Sequence, residues 1–329
     1  MRYALIVALF VIPSSVQAQE PAIFEPGAKL KIEAEGEGGG EGPAWHPKFG
    51  VFTSGGDGHL HVLGLDGKQT IFRKKAGTNG LLLDAKGRLV SCDSDARRVS
   101  RTDLDTGKVT ILTDNYEGKR YNNPNDLTID SKGRIYFSDP RYGSRKGMEI
   151  LDADGKTIEG VYRIDPDNKV TRIIGRELDR PNGVLVSADD KFLFVADNNN
   201  SEPTGARKLW RFDLRKDGTV DFASKKMLYD WGTGRGPDGL KQDKEDRLYV
   251  AGGLNKPNAL EPAKDKKGGI YVFTPEGKLL TFLPVPRDEV TNCAFGGPDL
   301  RTLYITGGGT LYSIRTTTPG RVLWPTSQK

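Results

Sequence analysis

The chain reads as an all-β protein, a six-bladed β-propeller with four antiparallel strands per blade, and three observations predict it. Short runs of β-branched and aromatic residues are punctuated every few residues by Gly, Asn or Asp, and no long window carries a helical period. A four-strand grammar recurs at intervals of about 40 to 55 residues, a spacing typical of propeller blades. Each unit opens on one oxygen-bearing residue: Glu41, Asn79, Asn125, Asn182, Asp238 and Asn292, in the contexts EGPAWHP, TNGLLLD, PNDLTID, PNGVLVS, PDGLKQD and TNCAFGG.

The elements follow in order. A second apolar run is centred eleven or twelve residues after each of the six, at Phe52, Val90, Tyr136, Phe194, Tyr249 and Tyr304. In the third unit, residues 125–130 supply the first strand, 134–138 the second, 160–164 the third and 170–174 the fourth. The turns between first and second strands, DAKGR, DSKGR, ADDK, KEDR and GPDLR, carry the Asp and Gly chemistry of tight hairpins. Residues 30–35 are expected to add a strand to the last blade and close the ring, which removes an open edge.

Residues 1–18 are set apart from this fold. Arg2, the apolar run 4–13 and the ending Val16-Gln17-Ala18 match the three regions of a secretory signal peptide. The run is shorter than the roughly 20 apolar residues a bilayer span needs. The mature chain, 19–329, is then one propeller domain, exported to the periplasm or secreted, with no stable membrane association after cleavage. Of the two cysteines, Cys92 falls in the second unit and Cys293 in the sixth. Units that far apart in a ring make a disulfide the weaker reading.

The 49 Lys and Arg against 44 Asp and Glu leave a net charge of +5. The basic residues lie mostly in turns, without the clustered bases and interleaved aromatics of a nucleic-acid surface. A small-molecule substrate is the expected partner.

Strand alternation places the six opening residues where the first strands line the central channel. The long connections, residues 139–159, 197–207 and 252–267, open on the same face, whereas the opposite face has tight turns. Long loops in a compact domain tend to be functional, so one face is expected to be active. Two carboxylates, Glu41 and Asp238, with the amides of Asn125 and Asn182, make an all-oxygen set suited to a hard divalent cation. Ca2+ fits best, with Mg2+, Mn2+ or Zn2+ as alternatives. Asn79 and Asn292 share the register, and a strand-entry turn is an equal reading for both. His59 and His61 are expected on the surface, and with His46 they form no triad. No G-x-S-x-G elbow occurs.

The motifs EGPAW, RYNNPNDLTIDSKGRIYFSDPRYG, RPNGVLVSADDKFLFVAD, GPDGLKQD and VTNCAFGGPDLRTLYITGGGTLYSI resemble the gluconolactonase/regucalcin (senescence marker protein) family across the mature chain. The resemblance implies one divalent metal in the channel, held by Glu41, Asn182 and Asp238. Asn125 matches a position that ligates or contacts substrate, and Asn79 and Asn292 match channel positions. It further implies metal-assisted hydrolysis of a lactone, with Asp238 as ligand and general base, its pKa held low by the ion. Asp139, Arg141, Tyr142 and Asp197 are candidates for sugar hydroxyls, with Arg120, Tyr121 and Arg235 on the approaches. The Lys- and Pro-rich segment 255–267 departs from the family pattern. A phosphotriesterase using the same pocket, and a non-catalytic binding propeller with structural calcium, are the competing readings.

Overall fold

The structure is a computed structural model that describes residues 22–36 and 39–324. The expected signal peptide lies outside the described residues. Among these there is no α-helix, and the strands form six four-stranded antiparallel sheets plus one short hairpin. The six-bladed expectation holds. Blade one shows the plan, running outward from the axis through Glu41–His46, Gly50–Ser54, Leu60–Leu63 and Gln69–Arg73. The innermost strands of the other blades are Leu81–Leu83, Leu127–Ile129, Pro181–Val186, Pro237–Gln242 and Val290–Gly296.

The ring closes as its pattern predicts. Lys31–Ala34 becomes the outermost strand of blade six, antiparallel to Thr310–Arg315, with Ile32 opposite Tyr312. The hairpin Asn115–Tyr116 with Lys119–Arg120, in the connection from blade two to blade three, is an addition that the repeat does not contain.

Burial explains why six such sheets hold together. Each of six hydrophobic clusters fills the seam between two neighbouring blades: Phe52 and Leu60 meet Leu81 and Leu89, Cys92 and Val99 meet Phe137 and Tyr162, and so on around the ring. Each face of every sheet therefore finds an apolar partner in the adjoining blade. Both cysteines are buried in these seams and neither forms a disulfide.

A repeated turn fixes the lower face. Asp84, Asp130 and Asp243 each accept two backbone N–H groups from the next four residues and grip the Arg at the turn's end, Arg88, Arg134 or Arg247. Tyr136 and Tyr249 donate their hydroxyls to Asp130 and Asp243 from the following strand. The C-terminal segment then crosses this face. Arg321 donates its backbone N–H to Gln242 of blade five, Leu323 packs on the seam of blades two and three, and Trp324 lies 4.5 Å from the His46 ring in blade one. A mostly apolar cavity of about 220 Å³ remains between this strap and the inner strands of blades two to five. It lies at the far end of the channel from the six opening residues.

One surface expectation is corrected. His61 is buried, with Nε2 3.0 Å from the Asp57 carboxylate, because its strand turns it inward under the Gly55–His59 turn.

Candidate active site in the channel

The inner strands do not run straight into the axis. In blades one, four, five and six the register slips within the first few residues, between Glu41 and Ala44, Pro181 and Val184, Pro237 and Leu240, and Val290 and Asn292. A bulge places two residues opposite one and re-aims a side chain. Here it turns Glu41, Asn182, Asp238 and Asn292 away from simple alternation.

Glycine follows four of the six opening residues, and the next blade explains why. A Cβ on Gly42 would lie 2.1 Å from the Asn79 carbonyl oxygen, and on Gly80 2.6 Å from that of Asn125. On Gly183 it would lie 2.2 Å from the Asp238 carbonyl oxygen, and on Gly239 2.1 Å from the Asn292 amide carbon. Each of these blades thus leaves out a side chain so that its neighbour's opening residue can reach the axis. Blades three and six break the rule with Asp126 and Cys293.

The electrostatics show which groups meet. Glu41 keeps some exposure at the channel mouth but is enclosed by protein on its walls. Burial, then the charges of Asp238 and Asp126, push its carboxyl well above the usual range. Asp238 is buried and is pushed up to about 7, chiefly by desolvation, with Arg235 opposing and Glu289 and Asp126 adding to the rise. Burial likewise raises Asp126, against the pull of Lys241. Three carboxylates from blades one, three and five therefore feel one another. Among protein groups alone Asp238 sits high; the low value expected from sequence depends on an ion's field.

The amides complete the cluster. Asn182 donates from Nδ2 to the Tyr142 hydroxyl at 2.8 Å, and that hydroxyl donates in turn to the Asn198 carbonyl at 3.2 Å. Asn182 Oδ1 is left buried without a hydrogen-bond partner, as is Asn79 Oδ1. Asn292 stands close enough to lower both Glu41 and Asp126 by hydrogen bonding. Asn125 is buried beside Asp126 at the same level, its carbonyl accepting from Gly80.

Arg235 forms the wall beside Asp238. Burial works against its charge, but Glu289, Asp238 and Glu261 outweigh it, at 2.8, 3.6 and 3.6 Å. Glu261 is delivered by the segment 255–267, so the departure from the family pattern reaches the site through this one buried carboxylate.

Other sequence candidates lie apart. Asp139 is fully buried and its Oδ2 accepts the Asn122 backbone N–H at 2.8 Å; its carboxyl is pushed up to about 8 by burial. Asp197 has the same role in the next blade, accepting the Arg180 N–H at 2.7 Å. Both tie a loop to the end of a second strand. Arg141 donates to Asn123 and to the Ser144 carbonyl, and Tyr121 is fully buried in a seam. Arg120 is exposed, its backbone N–H on Glu149. Of the rim group, Tyr142 and Arg235 touch the cluster. Asp126 and Lys241 are channel residues that the sequence reading missed. The signal was present: Asp126 replaces the glycine of the repeat, and Lys241 is a charge on an inner strand.

The donor set fits a hard cation. Among the described residues no group of three His, Cys, Asp or Glu is arranged to hold a metal ion. Two carboxylates with amide oxygens fall outside such a group, and Asn182 Oδ1 is a buried acceptor without a partner.

Comparison with known proteins identifies the family of the fold. A gluconolactonase from Zymomonas mobilis is 29% identical over 322 residues, covering 91% of this chain and 84% of that protein. The solved structure of a gluconolactonase from Xanthomonas campestris is 29% identical, with a TM-score of 0.73 over 90% of this chain and 91% of that one. A calcium-binding regucalcin from Agrobacterium tumefaciens, 18% identical, shares the fold with a TM-score of 0.69 over 90% and 96% of the two chains. The model of the SMP-30/gluconolactonase/LRE-like region matches residues 39–309, and the chain belongs to that family.

Proposed function

We propose that the chain is a lactone hydrolase that works at the upper mouth of the channel with one divalent cation. The gluconolactonases named above act on lactones, and the observation that supports the cation reading is that the Glu41 and Asp238 carboxyls act on each other in the channel, where Asn182 Oδ1 is also buried without a partner. Glu41, Asn182 and Asp238 would hold the ion, with Asn125 as a further ligand or a substrate contact. Ca2+ is the best fit to an all-oxygen set. When bound, the ion would act as a Lewis acid toward the ester carbonyl and offset the negative charge of the tetrahedral intermediate.

The chain's own groups set up the rest. Asp238, kept as a carboxylate by the ion and by Arg235 beside it, is placed to accept a proton from the attacking water and to pass it to the departing ring oxygen. Tyr142 holds the NH2 end of the Asn182 amide. Asn79 presents a further polar group to a hydroxylated ring, Asn292 supports the carboxylates around it, and Arg141 and Tyr142 stand at the rim. The C-terminal strap crosses the lower face, and in this reading substrate enters and product leaves from above. Residues 1–18 direct export in this reading.

A lactone panel including glucono-1,5-lactone, followed by release of acid, tests the proposal. Activity is expected in the presence of Ca2+, lost after chelation and restored by adding the ion back. Lactone hydrolysis that survives both chelation and the Glu41→Gln and Asp238→Asn substitutions would overturn the cation site. Export is tested by the N-terminus of the mature protein, expected near Gln19.

A further inference from the structure

Lys241 projects from the inner strand of blade five toward Asp126 of blade three and Asn292 of blade six. Its five counterparts, three residues after each opening residue, are Ala44, Leu82, Thr128, Leu185 and Phe295, none of them charged. The stem lines the lower cavity, and the ammonium is withdrawn from it toward the cluster. Nζ donates to the Leu240 carbonyl at 3.1 Å and to Asn292 Oδ1 at 3.4 Å, and lies 3.9 Å from Asp126 Oδ2. Asp126 is 1% exposed, and this Oδ2 has no hydrogen-bond partner. The Cys293 N–H also donates to Asn292 Oδ1, at 2.9 Å, so the amide's orientation is fixed from two sides and its NH2 group faces the carboxylates.

We propose that Lys241 is an internal counter-ion that neutralises Asp126, so that the channel presents a divalent cation with the charge of two carboxylates rather than three. Glu41, Asp126 and Asp238 together would carry one charge more than a divalent ion balances, and the tethered ammonium takes up the third. Arg235 cannot substitute, because it stands at Asp238 and is shared with Glu289 and Glu261. Lys241 is thus a positioning residue: it acts through Asp126 and Asn292 and touches no substrate.

The inference rests on the proposed cation site, and one set of titrations separates the two. Metal-stripped wild type, Lys241→Met, Lys241→Arg, Asp126→Asn and the double variant Asp126→Asn/Lys241→Met are titrated with Ca2+ by calorimetry at about pH 8, each checked for folding by its thermal transition. Removing the ammonium is expected to tighten Ca2+ binding at least about tenfold, as a nearby buried positive charge is lost. Lys241→Arg should stay near wild type, and Asp126→Asn alone should weaken binding. The double variant should return to within about threefold of wild type, because its charge balance is restored. Unchanged or weaker binding in Lys241→Met, or a double variant that does not return, overturns the inference while leaving the cation site standing. Wild type that takes up no divalent ion removes both. If Lys241→Met does not fold, Lys241→Gln carries the same comparison.

Discussion

Asn182 donates its amide to the Tyr142 hydroxyl at 2.8 Å and also lowers the Asp238 carboxyl by hydrogen bonding, so its NH2 group is held from two sides. An amide can present either its oxygen or its NH2 group to a ligand, and a cation accepts only the oxygen. Because the tyrosine hydroxyl is itself committed as donor to the Asn198 carbonyl, it can receive only the NH2 end. Tyr142→Phe should remove one of these two holds and loosen the amide. We expect Ca2+ affinity to fall by about tenfold, the usual range for groups that orient a ligand, with little change in thermal stability once the ion saturates. Equal Ca2+ affinities in Tyr142→Phe and wild type would show that other contacts, not the bond to Tyr142, set the amide.

The raised carboxyls make the metal-free protein pH-sensitive in an unusual direction. Glu41, Asp126, Asp139 and Asp238 all sit above the ordinary carboxylate range, Asp238 near 7 and Asp139 near 8. The unfolded chain releases these protons near pH 4. Between about pH 4 and 8 the folded state therefore holds more protons than the unfolded one, and stability falls as pH rises through that window. Each group contributes a slope of up to about 1.4 kcal/mol per pH unit. Urea unfolding of chelated protein at several pH values should show the decline. Ca2+ should flatten the share due to Glu41 and Asp238, and Asp139→Asn should remove a share that Ca2+ does not touch. A flat profile in the chelated protein would refute the assignment.

That same set of groups marks how far the sequence could be read. The blade count was legible because the residue spacing from Glu41 to Phe52, and from Asn182 to Phe194, repeats with little change. The closing strand was legible because residues 30–35 have no other sheet to join. Glu41 stood out because glutamate is a poor turn former in a register otherwise held by Asn and Asp. Asp139 and Asp197 misled for a physical reason. They end strands that open on the active face, yet each is drawn into a peg on the backbone seventeen residues earlier, which a single sequence does not display. Asp126 was hidden because it and Asn125 both bond Ser138 of the next strand, and simple alternation cannot say which of two adjacent polar residues points to the axis. Lys241 was hidden because its partners, Asp126 and Asn292, come from blades three and six.

The interlocked glycines give a prediction about stability and site together. A methyl on Gly183 would meet the Asp238 backbone oxygen, which cannot swing aside as a flexible side chain could. Gly183→Ala should force the inner strands of blades four and five apart. Overpacking of this kind costs about 1 to 3 kcal/mol, and the displaced residue is Asp238 itself. We expect a lower urea midpoint and a larger fall in kcat than in KM. Gly58→Ala is a suitable control, since nothing lies within 4 Å of the added methyl. It tests backbone strain alone at a positive φ of 75°. If the two variants lose stability equally and Gly183→Ala keeps full activity, the contact has no bearing on the site.

Arg235 offers the sharpest pH test of the proton-transfer role. It lies 3.6 Å from Asp238 and opposes the desolvation that raises that carboxyl. Replacing it with Met removes the opposition, so Asp238 should hold its proton to a higher pH. If Asp238 must be ionised to act, the acid limb of the kcat/KM profile will move upward in pH in Arg235→Met and return in Arg235→Lys. Glu289 acts in the other direction, raising Asp238 from a half-exposed position, so Glu289→Gln should move the limb slightly downward. Both profiles are to be recorded at saturating Ca2+, which separates a change in the carboxyl from a change in ion binding. Opposite displacements in the two variants would identify Asp238 as the group whose ionisation the rate follows. A limb that stays fixed in both would assign it to another group.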